Sequence, residues 1–168
     1  MHVEVVIATA DQKPILANLL ELYAHDFSEI STLRLNSEGR FGYAPLPLYW
    51  RESNRYPYLV KVDDTLAGFV LVKKGSEVSG DEKVWDVAEF FIVRGYRRHG
   101  IGMRSAHEVW RAFPGRWEVR VTEANRAGQA FWSRAVASFM GRTIEASVCE
   151  INHKTWLVFS FDTRLSAG

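Results

Sequence analysis

The chain holds a single cysteine, Cys149, in 168 residues. Without a second thiol it forms no internal disulfide, so a reducing compartment is expected. No apolar run reaches the roughly 18 to 20 residues that a bilayer span requires. The opening Met-His-Val-Glu-Val-Val-Ile reads as a strand, with no basic stretch, apolar stretch and cleavage site in succession, so a cytoplasmic protein is expected. Net charge is also scarce. A formal value of +1 argues against bulk attraction to nucleic acid or an anionic membrane, and makes any positive patch local. His2, His25, His99, His107 and His153 are scattered without ligand spacing, so no metal is expected. Neither the Walker pattern nor Gly-x-Gly-x-x-Gly occurs, since Ser105 stands where the third glycine would be.

What is present is the balance of a globular domain, with 47% hydrophobic and 24% charged residues. The length suits one domain over 1–168. Aromatic residues are plentiful at 13%, which fits a well-filled core and equally a pocket lined with rings.

Val3, Val5 and Ile7 alternate as a strand does. Thr9 or Asp11 caps the next element, Pro14 suits a first helical turn, and Ile15, Leu16, Leu19, Leu20, Tyr23 and Phe27 recur at helical spacing. Residues 28–56 carry Gly39, Gly42, Pro45 and Pro47 and read as a loop with short helical pieces, including 46–53. A connection this long in a compact domain is more often a lid or binding segment than a linker. Tyr58–Val62 and Ala67–Lys73 read as a hairpin around Asp63-Asp64-Thr65, and 75–83 as a surface loop. Then follow a strand over Val84–Val93, a helix over Gly100–Phe113 stopped by Pro114-Gly115, a strand over Trp117–Val121 and a helix over Asn125–Val136. Arg142–Glu150 and Thr155–Phe161 read as a closing antiparallel pair around Asn152-His153. This order predicts an α/β (α+β) domain with one mixed sheet flanked by helices.

The chemistry concentrates in Glu89-Phe90-Phe91-Ile92-Val93-Arg94-Gly95-Tyr96-Arg97-Arg98-His99-Gly100-Ile101-Gly102-Met103. A buried strand ends, a basic turn follows, and a helix begins. The first N–H groups of a helix have no partner inside it, and the macrodipole adds partial positive charge there. Gly100 and Gly102 remove side chains that would hold an anion away from the backbone. The expected product is an N–H cradle for phosphate, with Arg97, Arg98 and His99 adding local positive charge. A glycine pair alone is better read as a tight turn; Arg-x-x-Gly-x-Gly between a strand and an amphipathic helix reverses that preference.

Arg97-Arg98-His99-Gly100-Ile101-Gly102 resembles the Arg/Gln-x-x-Gly-x-Gly/Ala signature of the GNAT N-acetyltransferase superfamily. Phe91-Ile92-Val93 resembles the strand that lies along the pantetheine arm in that family. Asn125-Arg126-Ala127-Gly128-Gln129-Ala130-Phe131-Trp132 is similar to its Asn-x-x-Ala-x-x-Phe-Tyr stretch, and Asp64–Phe69 to its turn before the third strand. The run Tyr23–Glu29 resembles a Tyr-x-x-Asp-Phe-Ser-Glu run in a little-characterised group of bacterial acetyltransferases. The resemblance spans about residues 3 to 161 and is closest over 58–132. It implies a GNAT-like fold with a mostly antiparallel sheet of about seven strands, and acetyl-CoA as cofactor. It also implies direct acetyl transfer to an amine of a small molecule or peptide, by a monomer or homodimer. The backbone of Phe91 and Val93 would pair with pantetheine like an added strand, the amides of 98–103, with Ile101 and Met103 among them, would hold the diphosphate, and Asn125 would bond the cofactor.

One position departs from the family. Trp132 stands where a tyrosine often helps the thiolate leave, and an indole N–H delivers no proton at neutral pH. Three readings stay open: Trp132 orients the thiolate, Tyr43 or Tyr49 is the acid, or no dedicated acid exists. The resemblance makes Glu89 the first candidate for the base that an amine of pKa about 10 needs. Asp26 and Glu29 follow, and His25 after them. The acceptor pocket is expected over 23–50, with Asp26 and Glu29 favouring a cationic amine and Tyr43, Tyr49 and Trp50 as flat walls. Cys149 reads as a small buried side chain. Two rivals remain. One is an acyl-CoA-binding module without turnover. The other is a nucleic-acid binder using Arg94, Arg97, Arg98 and Arg104, which the neutral charge disfavours.

Overall fold

The computed structural model describes residues 1–167 of the chain. A seven-stranded sheet in the order β1-β2-β3-β4-β5-β7-β6 forms its centre. Its strands are β1 (Val3–Ile7), β2 (Arg55–Val62), β3 (Thr65–Lys74), β4 (Trp85–Ile92), β5 (Arg116–Thr122), β6 (Ser147–Ile151) and β7 (Lys154–Asp162). Every neighbouring pair is antiparallel except β4 and β5. The helices are α1 (Lys13–Ser28), α2 (Leu48–Arg51), α3 (Ile101–Ala112) and α4 (Arg126–Met140).

Alternation along the strands divides the core between two faces. Leu59, Phe69, Leu71 and Phe91 point to the face covered by Leu16, Leu19 and Leu20 of α1 and Tyr49 of α2. Val60, Val70, Val72 and Ile92 point the other way, against Ile101, Ala106 and Val109 of α3 and Trp132, Ala135 and Val136 of α4. Both hairpins turn through paired left-handed residues, Asp63 and Asp64 in one, Asn152 and His153 in the other. That geometry matches the right-handed twist of the strands they join.

Several boundaries differ from the sequence reading. The helix expected over 46–53 is the single turn of α2, enclosed by Pro45, Pro47 and an extended Glu52. The strand expected from Arg142 begins only at Ser147. β2 starts at Arg55, before the Pro57 that obscured it, and α4 continues to Met140, where Gly141 takes a left-handed conformation.

β4 and β5 carry the consequential irregularities. They pair only at Trp85–Trp117 and Asp86–Glu118; beyond these rungs they diverge and leave a wedge. β4 also bulges, its register against β3 shifting between Leu71 and Val72. A regular strand would send residues 86 and 89 to opposite faces. The extra residue in the bulge instead sends Asp86 and Glu89 to the α1 face, opposite Lys73 and Leu71.

Asp86 is 1% exposed and pairs with Arg120 of β5 at 2.8 Å, just past the last rung. Loss of one partner from a buried pair leaves an uncompensated charge. Arg120→Ala is expected to lower unfolding free energy by about 3 kcal/mol at neutral pH. Desolvation raises the Asp86 carboxyl above its ordinary range, so the deficit should shrink in acid, where Asp86 protonates. Urea melts at two pH values check both points.

Candidate active site

The segment from Val93 to Met103 uses its amides in two ways. Three of those before Arg98 are occupied: Val93 N–H donates to the Ala67 carbonyl at 2.8 Å, Tyr96 to Val93 at 2.9 Å and Arg97 to Arg94 at 3.1 Å. A 3-10 turn over Arg94–Tyr96, absent from the sequence reading, accounts for the last two. Arg98 (φ 66°) and Gly100 (φ 76°) then turn the chain through left-handed conformations. Among the described residues, the amides of 98–103 donate no hydrogen bond of good geometry to another protein group. The first amide to do so again is Arg104, to Gly100 at 3.0 Å. The result is a run of free N–H groups opening onto a helix N-terminus.

The two glycines serve different ends. Gly100 meets open space and is required by its positive φ, whereas a side chain at Gly102 would sit 3.1 Å from the Phe131 ring. Gly102 therefore keeps α3 close to α4.

The arginines also divide. Arg97 donates to the Ile92 carbonyl at 2.7 Å and to Asp26 Oδ2 at 2.6 Å. Arg94 grips Asp26 Oδ1 at 2.8 and 3.1 Å. Both Asp26 oxygens are thereby taken, and the guanidinium groups hold its carboxyl below its ordinary range against the opposing effect of burial. This corrects the expected role of Asp26 as a free base or acceptor ligand. It also corrects that of Arg97, which ties β4 to α1 rather than reaching freely for phosphate. Arg98 and His99 are exposed beside the cradle.

β4 ends at this cradle. Its antiparallel register fixes which backbone groups face the wedge. Val93 bonds Ala67, so by alternation Phe91 also turns its N–H and C=O to β3, and Phe90 and Ile92 turn theirs to the wedge. The expectation that Phe91 and Val93 offer backbone groups to an added strand is corrected by one residue. Phe90, which the sequence reading passed over, also stacks on Phe131 and meets Trp132 edge-on at 4.9 Å.

On the α1 face of β4 stands Glu89. Tyr23 donates to its Oε2 at 2.5 Å and Tyr43 to its Oε1 at 3.3 Å. Glu89 as a residue is half-buried, and the protein packed around its carboxyl makes desolvation dominant. Burial pushes it up from 4.5 to about 7, and the two phenol hydrogen bonds and Arg120 only partly oppose this. Burial and the nearby Glu89 charge raise the Tyr43 phenol well above its ordinary value and push Tyr49 up to about 12. Both phenols hold their protons, which makes them poor acids, and Tyr43 spends its proton as a donor to Glu89.

Trp132 is 7% exposed and lies on the opposite face, among Phe90, Trp110 and Phe131. Asn125 Oδ1 caps α4 by accepting from Gly128 N–H at 2.9 Å, so its carbonyl is engaged in the fold. Tyr49 is buried, with no hydrogen-bond partner for its hydroxyl among the described residues. Trp50 donates to the Ala8 carbonyl at 3.0 Å and packs at the end of β1, apart from Glu89. Glu29 is exposed at the end of α1, as is His25. Sequence reasoning missed Tyr23 as a partner of Glu89 and missed the Asp86–Arg120 pair. Tyr23 looked like one more ring on an apolar helix face, and the bulge that gathers Asp86 and Glu89 leaves no mark in the sequence.

A family model described as the acetyltransferase (GNAT) family matches residues 16–136, and the chain belongs to that family. No curated protein matches it in sequence. Solved structures share the fold at low identity. An acetyltransferase from Thermus thermophilus is 16% identical over 96% of this chain and 97% of its own, with TM-score 0.69. The PaiA N-acetyltransferase from Thermoplasma acidophilum, in complex with coenzyme A, is 12% identical over 96% of this chain and 100% of its own, with TM-score 0.63. The aminoglycoside acetyltransferase AAC(6')-Ib in complex with coenzyme A and kanamycin is 11% identical over 98% of this chain and 96% of its own, with TM-score 0.73. Among the described residues no group of metal-ligating side chains assembles, and no helix is long and apolar enough to cross a membrane.

A carboxyl raised from 4.5 to about 7 binds its proton more tightly in the folded chain than in the unfolded one. Its contribution is complete below pH 4.5 and is lost as pH rises through about 7. Glu89→Gln, which cannot ionise, is therefore expected to gain stability relative to the parent across that window. Paired thermal melts at pH 4.5 and pH 8 measure the difference.

Proposed function

We propose that the chain is an N-acetyltransferase that moves an acetyl group from acetyl-CoA directly to an amine of a small molecule or peptide. The observation that carries the reading is the run of unbonded amides over 98–103, placed at the carboxyl ends of two parallel strands that have parted. Ligands of α/β sheets bind at such a point.

The residues present fit this cofactor. The amides of 98–103, with exposed Arg98 and His99 beside them, would hold the diphosphate. Phe90 and Ile92 present backbone to the wedge where a pantetheine arm would lie as an added strand, although Arg97 already occupies the Ile92 carbonyl. Acetyl-CoA supplies an activated acetyl group. The chain supplies position and a base. Glu89, poised at about 7, takes the proton of the incoming ammonium through direct contact or one water. Tyr23 and Tyr43 hold its carboxylate. The acceptor enters from the α1 face, where Glu89 and Asp86 set negative charge against Arg120. A second reading, acyl-CoA binding without turnover, draws on Trp132, which offers no acidic proton at the place of the usual phenol.

Coenzyme A and acetyl-CoA are expected to raise the melting temperature of the chain, because a ligand that prefers the folded state stabilises it. His99→Glu should abolish that rise, since it sets a carboxylate beside the cradle at an exposed position. It is a cleaner test than a substitution at Gly102, which also disturbs Phe131. With a panel of amines, thiol release should be measurable, and Glu89→Gln should reduce kcat/KM by about 10² to 10⁴ while keeping the melting response. A full melting response with no thiol release from any amine would favour the binding module.

A further inference from the structure

In the run Tyr23-x-x-Asp26, Tyr23 holds the Glu89 carboxylate, but Asp26 has no role in acetyl transfer as set out so far. Side chains three apart on a helix share a face, yet these two reach different sites. Tyr23 donates to Glu89 at 2.5 Å. Its ring is held edge-on by Phe27, Phe69 and Phe91 at 4.7 to 5.8 Å, which leaves the phenol little freedom of aim. Asp26 takes three hydrogen bonds from Arg94 and Arg97, and Arg97 also fixes the Ile92 carbonyl next to the cradle. An isolated surface ion pair contributes little. This one uses both carboxylate oxygens and joins segments about 70 residues apart in the chain.

We propose that the last turns of α1 are a positioning strut, in which Asp26 holds the cradle loop and Tyr23 holds the Glu89 carboxylate, so that a disturbance at one end reaches the other. The use of this coupling rests on the acetyl-transfer reading. The coupling itself belongs to the folded chain. Group transfer demands that base and cofactor keep a fixed separation, and an error of about 1 Å costs on the order of 10²-fold in rate. A rigid helical turn anchored at both sites supplies that separation. An anion entering the cradle also competes with Asp26 for the two guanidinium groups, which are 72% and 41% exposed. Tyr23 is therefore a positioning residue that feels whether the cradle is filled. Around Glu89 stand Tyr23 from α1, Tyr43 from the preceding loop, Tyr49 from α2, Asp86 from β4 and Arg120 from β5. Of these, Tyr23 shares a helix turn with a residue bonded to the cradle loop.

Carbon NMR of the glutamate carboxyls in the ligand-free chain tests this, with Glu89→Gln assigning the signal. Tyr23→Phe is expected to raise the Glu89 midpoint by roughly one unit, since it removes a hydrogen bond that favours the carboxylate. Asp26→Asn should also raise it. The sign is diagnostic, because removal of the Asp26 charge frees two guanidinium groups and by Coulomb interaction alone lowers the midpoint. An upward shift supports the strut; a downward shift or none overturns it. Should Asp26→Asn not fold, Asp26→Glu keeps the charge, misplaces the arm and is expected to give the same upward sign. Coenzyme A should move the Glu89 signal in the parent chain and leave it still in Asp26→Asn. A parent chain that shows no heat of coenzyme A binding removes the acetyl-transfer reading, while the ligand-free comparison still decides the strut.

Discussion

β4 and β5 share two rungs of parallel ladder and then separate. Backbone groups released from a sheet are costly unless something else satisfies them, and the architecture around the fork follows from that cost. On one side the Asp86–Arg120 pair bridges the strands where the ladder stops. On the other, α3 and α4 close the floor with Phe90, Phe131 and Trp132 in aromatic contact. What remains is a stretch of β4 without ladder partners on the β5 side, followed by amides that the chain itself leaves unbonded. A ligand that is extended and amide-bearing along one part and anionic at its end complements both features.

The same strand carries the carboxyl proposed as the base. The bulge in β4 turns Glu89 to the face of α1, where packing density rather than a neighbouring anion sets its proton affinity. Two phenols donate to it and keep their own protons, so a carboxyl that is hard to ionise remains hydrogen-bonded in either state. Burial, bulge and fork lie within a few residues of one another, so a single strand sets the positions of the free amides and of the raised Glu89 carboxyl alike.

Much of this was legible in the sequence. The alternation of Val3 to Ile7, the periodicity of α1 and the Arg-x-x-Gly-x-Gly turn are local signals, and local physics decides them. Resemblance pointed to Glu89 as a candidate base, and the glycine-bearing helix start pointed to the free amides at 98–103. Tertiary pairing was not. Asp26 looked like a free helix-end carboxylate because its partners, Arg94 and Arg97, lie far along the chain. Phe91 and Val93 looked like the wedge-facing positions because the parity of a strand cannot be fixed without its neighbour, and Ala67 settles it for Phe90 and Ile92. Trp50 read as a pocket wall, although its indole N–H finds the Ala8 carbonyl. Gly102 read as room for an anion and is equally room for Phe131.

Amide hydrogen exchange with and without coenzyme A tests the central claim most directly. The account expects the amides of 98–103, which have no protein acceptor among the described residues, to exchange freely in the empty chain and to become protected together when the diphosphate arrives. Protection already present without ligand, or free exchange under saturating coenzyme A, would contradict it.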